Sequence, residues 1–102
     1  MNIITHIRLY LRYKRAVRIA NRRFSETGQR QYVVSDTKRK KLIIVERKTF
    51  RLLKRKGYIP QSANIGHLIT DCYYHTPYAN GTGAMPPDRM MLKKQAYYHD
   101  FA

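Results

Sequence analysis

The chain has 102 residues, 43% of them hydrophobic, and a formal net charge of +15 from 21 Lys and Arg against six Asp and Glu. That length excludes two domains and allows one with a modest core, while the apolar content excludes disorder throughout. The charge points to an anionic partner, because a compact body this cationic repels itself.

The excess is not spread evenly. Residues 1–60 hold eighteen Lys and Arg and three acids (Glu26, Asp36, Glu46); residues 61–102 hold three of each sign (Arg89, Lys93, Lys94; Asp71, Asp88, Asp100). One domain over 1–102 is therefore expected to have a basic half, 1–60, and a neutral half, 61–102. The single cysteine, Cys72, excludes an internal disulfide framework and fits a reducing compartment. Arg8 interrupts the first apolar run, no cleavage-site pattern follows, and no stretch approaches the ~20 apolar residues of a membrane span. The expectation is a cytoplasmic protein, free or associated with nucleoid or ribonucleoprotein, with no membrane segment.

In chain order, residues 3–24 read as a helix without Gly or Pro. Tyr10, Tyr13, Val17, Ala20 and Phe24 fall on one side at about 100° per residue. Arg8, Arg12, Arg15, Arg18, Arg22 and Arg23 spread over the other, with Ile4, Leu11 and Ile19 among them. Gly28 suits a left-handed cap. The β-branched and aromatic runs Gln31–Ser35 and Leu42–Val45 predict a hairpin, whose connection carries Lys38, Arg39, Lys40 and Lys41. Residues 46–56 predict a second helix ended by Gly57, with Phe50 and Leu53 inside and Arg47, Lys48, Arg51, Lys54 and Arg55 outside; Tyr58 and Ile59 can fold back against it. After Pro60, a cap at Ser62 or Asn64 starts a third helix with Ile65, Leu68, Ile69 and Cys72 at i, i+3, i+4 and i+7. Residues 76–83 read as a loop, and Pro86 and Pro87 favour the first turn of a last helix reaching Tyr98. The predicted fold class is α+β, a small single domain in the order α-β-β-α-α-α, with a two-stranded antiparallel hairpin packed on helices.

The first helix is the leading candidate site. Guanidinium forks match phosphate oxygens bidentately, whereas Lys acts as a point charge. A solvated face usually mixes signs at i,i+4, and this helix carries no acid before Glu26. The hairpin tip and second helix extend the expected phosphate-contact set to Lys38, Arg39, Lys40, Lys41, Arg47, Lys48, Arg51, Lys54 and Arg55. Base-specific reading has little support, with few Asn or Gln in the basic half and no recognisable motif for it. Tyr10, Tyr13, Tyr32 and Tyr58 read as core residues before they read as stacking platforms for unpaired bases.

Other chemistries find weaker footing. Cys72-x2-His75, with His67 and His99, lacks the paired cysteines of a structural zinc site, so neither a metal nor another cofactor is expected. The acids are scattered, Cys72 has no evident base and orienting group, and Gly81-x-Gly83 lacks the remainder of a phosphate loop; the expectation is a protein that is not an enzyme. In the neutral half, Tyr73, Tyr74, Tyr78, Tyr97, Tyr98, Met90 and Met91, with Met85 and Phe101, serve either as core or as a protein-contact face. A basic amphipathic helix lying on a membrane applies only if the first helix is detached, and the elements that follow it predict a packed fold.

Three stretches carry a resemblance: Arg22–Val34, Phe50–Ile59 and Cys72–Gly81 look like small basic proteins of about this length encoded in gut-bacterial genomes and their prophages or mobile elements. The resemblance implies a phage or mobile-element setting and brings no activity or site residues with it. In that setting a short basic protein acts by binding a host complex. Two functions are therefore expected: nucleic-acid binding through the Arg/Lys surface, with RNA or ribonucleoprotein ranking at least level with DNA, and, as the alternative, binding that inhibits a host nucleoprotein enzyme such as a defence nuclease.

Overall fold

The computed structural model describes residues 2–38 and 40–101. Helix α1 (Ile3–Thr27) begins where the Asn2 side-chain oxygen accepts from the Thr5 amide at 2.8 Å, and ends at Gly28. Gly28 is left-handed at φ 70°, and its amide donates to the Phe24 carbonyl at 2.8 Å. Both caps satisfy backbone groups that a helix leaves open. At 1.5 Å per residue α1 spans about 37 Å, nearly the 39 Å long axis of the molecule. Its buried stripe is Leu9, Tyr13, Ala16 and Ala20, one position round from the stripe that periodicity predicts. Tyr10 is 37% exposed, and Val17 and Phe24 are half-buried. The small side chains of Ala16 and Ala20 bring the helix close to the sheet, while Tyr10 sits at the rim with the Lys94 ammonium 4.9 Å from its ring centroid.

The hairpin forms as expected. β1 (Tyr32–Ser35) and β2 (Leu42–Val45) pair from Tyr32↔Val45 to Ser35↔Leu42. Asp36 holds the turn, its Oδ1 accepting from the amides of Lys40 (2.8 Å) and Lys41 (3.2 Å). A 3₁₀ turn (Arg47–Thr49) then leads into α2 (Phe50–Arg55), shorter than predicted. The Tyr58 amide donates to the Leu53 carbonyl at 3.0 Å, which seats Ile59 in the core and leaves Tyr58 in solvent.

Two elements depart from expectation. The third helix is reduced to a 3₁₀ turn (Ile65–His67) and the four-residue α3 (Leu68–Asp71), and Cys72 is already extended. Leu68 and Cys72 are buried, but Ile69 is exposed. The sheet also has three strands rather than two: β3 (Tyr74–His75) pairs antiparallel with the second edge of β1, Tyr32↔His75 and Val33↔Tyr74, in the order β2-β1-β3. That edge is what ends the helix. The Val33 carbonyl accepts from the Tyr73 amide (2.8 Å) and the Gln31 carbonyl from the Thr76 amide (3.0 Å), pairing groups that burial would otherwise strand. A loop over 76–83 follows, then α4 (Pro87–Phe101).

Alternation gives the sheet two faces. Val33, Ile44 and Tyr74 look toward α1, where the Tyr74 hydroxyl donates to the Asn21 side-chain oxygen at 2.7 Å. On the opposite face Val34 shares a cavity wall with Phe50, Ile59 and Leu68. α4 closes one end through Tyr97, fully buried, with ring centroids 5.4 Å from Tyr13, 5.8 Å from Tyr73 and 4.8 Å from Phe101. Its hydroxyl donates to the Leu9 carbonyl at 3.0 Å. The fold is α+β around one core. Tyr97→Ala is expected to cost about 3–5 kcal/mol in urea unfolding, whereas Leu92→Ala, at a residue 63% exposed, should stay within about 0.5 kcal/mol.

Candidate nucleic-acid interface

All six arginines predicted on α1 are exposed. One flank of the helix is fixed by α4, through the His6–Tyr98 ring contact at 4.8 Å and the Lys94–Tyr10 contact. The opposite flank is fixed by Arg23, whose Nη1 donates to the Ile44 carbonyl of β2 at 3.4 Å. At about 100° per residue, Arg8, Arg12, Arg15 and Arg22 share the Arg23 flank, with Arg18 on the outer crest. β2 is an outermost strand, so the Arg23 end of this flank lies beside a sheet edge.

Both ends of β2 add cations. Lys40 and Lys41 precede it, Arg47 and Lys48 follow it, and all four are exposed, as is Lys38 in the turn. Arg39 lies outside the described residues. Thr37 ties the turn to the end of α2: its amide donates to the Tyr58 carbonyl (3.2 Å) and its hydroxyl to the Gly57 carbonyl (2.6 Å). Arg55 and Lys56, both exposed, come to the same end of the molecule. α2 packs on the sheet face away from α1, so the cations wrap around the β2 edge instead of lying on one flat face.

Two predicted contacts need amending. Lys54 is half-buried, and its Nζ donates to the Ala63 carbonyl at 2.8 Å, so it braces α2 and is not a free charge. Lys48 Nζ lies 3.7 Å from the Glu46 carboxylate. Among the described residues it is the only Lys or Arg within salt-bridge distance of an acid. The other described cations of the set, Lys54 apart, face solvent.

Arg30, which sequence reasoning passed over, is 7% exposed. Its Nε donates to the Thr76 carbonyl (2.8 Å) and its Nη2 to the Gly83 carbonyl (2.6 Å), with His75 Nδ1 2.8 Å from Nη2. Its guanidinium carbon lies 4.0 Å from the Tyr78 ring centroid. The readable signal was parity: Arg30 alternates with Tyr32, whose face is buried. A guanidinium only donates, so His75 Nδ1 accepts and carries no proton for the Thr76 carbonyl 3.1 Å away.

The neutral half is core first. Tyr73, Tyr74 and Tyr97 are buried, as is Met85, and Tyr98 and Met90 are half-buried. As a contact face this leaves Tyr78 and Met91, with Leu92 beside it, all exposed. Apolar exposure occurs instead near the start of α1, at Ile3, Ile4, Ile7 and Leu11. Cys72 is fully buried, and burial pushes its thiol up to about 11, far from a nucleophile's range. Among the described residues no three His, Cys, Asp or Glu side chains gather as a metal site, and no helix is long and apolar enough to cross a membrane.

No protein-family model matches the chain, and no curated protein or solved structure is detectably similar to it. Its class is therefore given by the fold and charge alone: a small α+β protein with a cationic strand edge.

Burial above all, helped by the neighbouring Arg30 charge, holds the His75 imidazole below its ordinary 6.5. Below that pH the unfolded chain takes up a proton that the folded chain refuses, so stability should fall as pH drops from about 7 and level off only once the folded His75 protonates. Urea midpoints across pH 5–8 measure this. His75→Asn, which keeps an acceptor for Arg30 but does not titrate, should flatten the profile.

Proposed function

We propose that this is a non-catalytic nucleic-acid-binding protein, gripping phosphates with the α1 arginines and the Lys/Arg residues around the β2 edge. The observation that carries the reading is the lack of counter-charge: Arg8, Arg12, Arg15, Arg18, Arg22 and Arg23 share one helix, all exposed, with none of the described carboxylates at salt-bridge distance. Repulsion along such a row is relieved by a polyanion, and the release of condensed counterions supplies the binding free energy. Because the cations curve around an edge, they suit a backbone that passes beside the protein, and RNA, ribonucleoprotein and DNA all present one. Base-edge reading has no evident equipment here, so the binding is expected to follow shape and charge.

Fluorescence anisotropy against duplex RNA and DNA over a salt series tests this. Contact with about six to ten phosphates predicts a loss on the order of 10³–10⁵ in affinity between 50 and 200 mM salt. Replacing Arg8, Arg12 and Arg15 together by Gln should lower the duplex-DNA slope of log K against log salt by about 2–3 while leaving the melting temperature nearly unchanged. A shallow slope in the parent protein would sink the proposal.

The second reading, inhibition of a host nucleoprotein enzyme, is favoured by the apolar residues Ile3, Ile4, Ile7 and Leu11, which are exposed on the same helix. Protein contact would use them and phosphate contact would not. Inhibition of a purified guide-RNA-loaded nuclease, relieved by Ile7→Asp with Leu11→Asp but not by added salt alone, would select that reading.

A further inference from the structure

The basic edge leaves one cation unexplained. Arg30 is buried, yet none of the described carboxylates lies within salt-bridge distance of it. Burying a charge without an opposite partner is costly. Carbonyl dipoles, an imidazole lone pair and the Tyr78 ring meet it only in part, and Nη1 has no hydrogen-bond acceptor among the described residues. The acceptors engage Nε and Nη2, and two of the residues supplying them, Gly83 and His75, line a different hollow. Arg30 also lines a neighbouring cleft of about 450 Å³, bounded by Gly28, Gln29, Tyr32, Arg47, Tyr78 and Asn80. None of the residues supplying those acceptors borders this cleft.

Strand register brings the second cation. Two residues beyond the Tyr32↔Val45 pair, the strands reach Arg30 on one side and Arg47 on the other, and both line the cleft. Like charges facing each other across strands repel, and no acid lines the walls. The cleft is therefore a concavity with two guanidiniums and no counter-charge.

We propose that this cleft binds a phosphomonoester, the terminal phosphate of a nucleotide or of a strand. A monoester carries about −1.5 to −2 at neutral pH, matching two guanidiniums, whereas a backbone diester carries a single charge. The exposed Arg47 fork can take two phosphate oxygens, and Arg30 adds the two N–H groups of Nη1, its Nε and Nη2 being already engaged. Nη1 is closed off from solvent, so the ligand reaches it as the Tyr78 ring lifts from the guanidinium. Tyr78 is 47% exposed on the 76–83 loop, and the lifted ring offers a stacking surface for the attached base or sugar. Gly83 sets the resting position: it is left-handed at φ 77°, and a Cβ there would stand 3.0 Å from the Tyr78 ring. Where the phosphate belongs to a strand, this proposal rests on the nucleic-acid reading above; where it is free, it stands alone.

The test uses one RNA sequence of about twelve nucleotides, within the span of a small single-strand site, carrying either a 5′-phosphate or a 5′-hydroxyl. It is paired with thermal unfolding in inorganic phosphate against chloride at equal ionic strength. The phosphorylated strand should bind about tenfold tighter, and inorganic phosphate should raise the melting temperature. Arg47 is exposed, so Arg47→Met probes the cleft without disturbing the buried Arg30. In that variant the affinity ratio between the two ends should fall to about one and the phosphate-specific stabilisation should vanish. Arg8→Gln should weaken both strands together and keep the ratio. Equal affinity for the two ends with no phosphate-specific stabilisation overturns the cleft proposal and leaves the basic edge standing, and so does an effect that survives Arg47→Met. Stabilisation by phosphate that Arg47→Met removes, with neither strand bound, upholds the cleft as a small-phosphoanion site and removes the nucleic-acid reading.

Discussion

β1 has four residues and hydrogen-bonds along both edges, and this double pairing decides where everything else goes. β2 takes one edge and β3 the other, so the cations flanking β2 and the neutral residues around β3 and α4 end on opposite sides of a narrow sheet. α1 lies across one face and obeys the same division, with His6 and Tyr10 toward α4 and Arg23 toward β2. A charge imbalance between two halves of a chain becomes an imbalance between two sides of a molecule only because a pair of residues, Tyr74 and His75, joins the sheet at the far edge. The arrangement also protects the protein from itself. A free strand edge invites pairing with another chain, and lysines and arginines at both ends of β2 discourage it.

The same cations weigh on stability. A domain of this size holds a margin of about 5–15 kcal/mol, and a row of arginines with none of the described acids at salt-bridge distance reduces that margin by mutual repulsion, more so at low salt. Anything that neutralises the row in the folded state alone raises stability by mass action. Binding and folding are then coupled through one set of side chains. Against the repulsion stands an aromatic core unusual in its hydroxyls: Tyr13 donates to the Tyr73 carbonyl at 2.8 Å, and Tyr97 to the Leu9 carbonyl at 3.0 Å. Each bond ties α1 to the neutral half. Burial pushes the Tyr97 hydroxyl up to about 12 and that of Tyr13 higher still, so both stay protonated donors across the physiological range.

Much of this was legible before any coordinates. The uninterrupted run from Ile3, the Gly28 cap, the two β-branched runs and the paired prolines each name an element by a local rule, and each element is present. The failures are those of local rules meeting distant partners. Ile65, Leu68, Ile69 and Cys72 have helical spacing, yet the chain leaves the helix at Cys72 because the open edge of β1 offers the next residues hydrogen bonds. A two-residue strand has no periodicity to read, so Tyr74-His75 was invisible as one. The α1 stripe was misplaced by one position: Leu9 and Ala16 face the core in place of Tyr10 and Val17, and at the second of these close packing against a sheet admits the smaller side chain. Arg30 was missed for a similar reason: a search for runs of charge overlooks an isolated one, and only its parity with Tyr32 marked it as facing inward.

The two groups of cations differ in physics as well as in place. The exposed arginines act through water, over distances that salt shortens to about 8–10 Å at physiological strength, and so discriminate little among polyanions. Arg30 acts in a low-dielectric recess, where a charge interaction is stronger and less screened by salt. A surface of the first kind gathers a strand; a recess of the second kind distinguishes one phosphate from another. They come nearest at Arg47, which lines the cleft and lies two residues beyond β2, the strand whose Ile44 carbonyl Arg23 reaches. A strand held by its terminal phosphate between Arg30 and Arg47 would leave the cleft near β2, the strand that Arg23 reaches. On the proposed reading Arg47 joins the capture surface to the phosphate pocket, and its removal separates the two contributions.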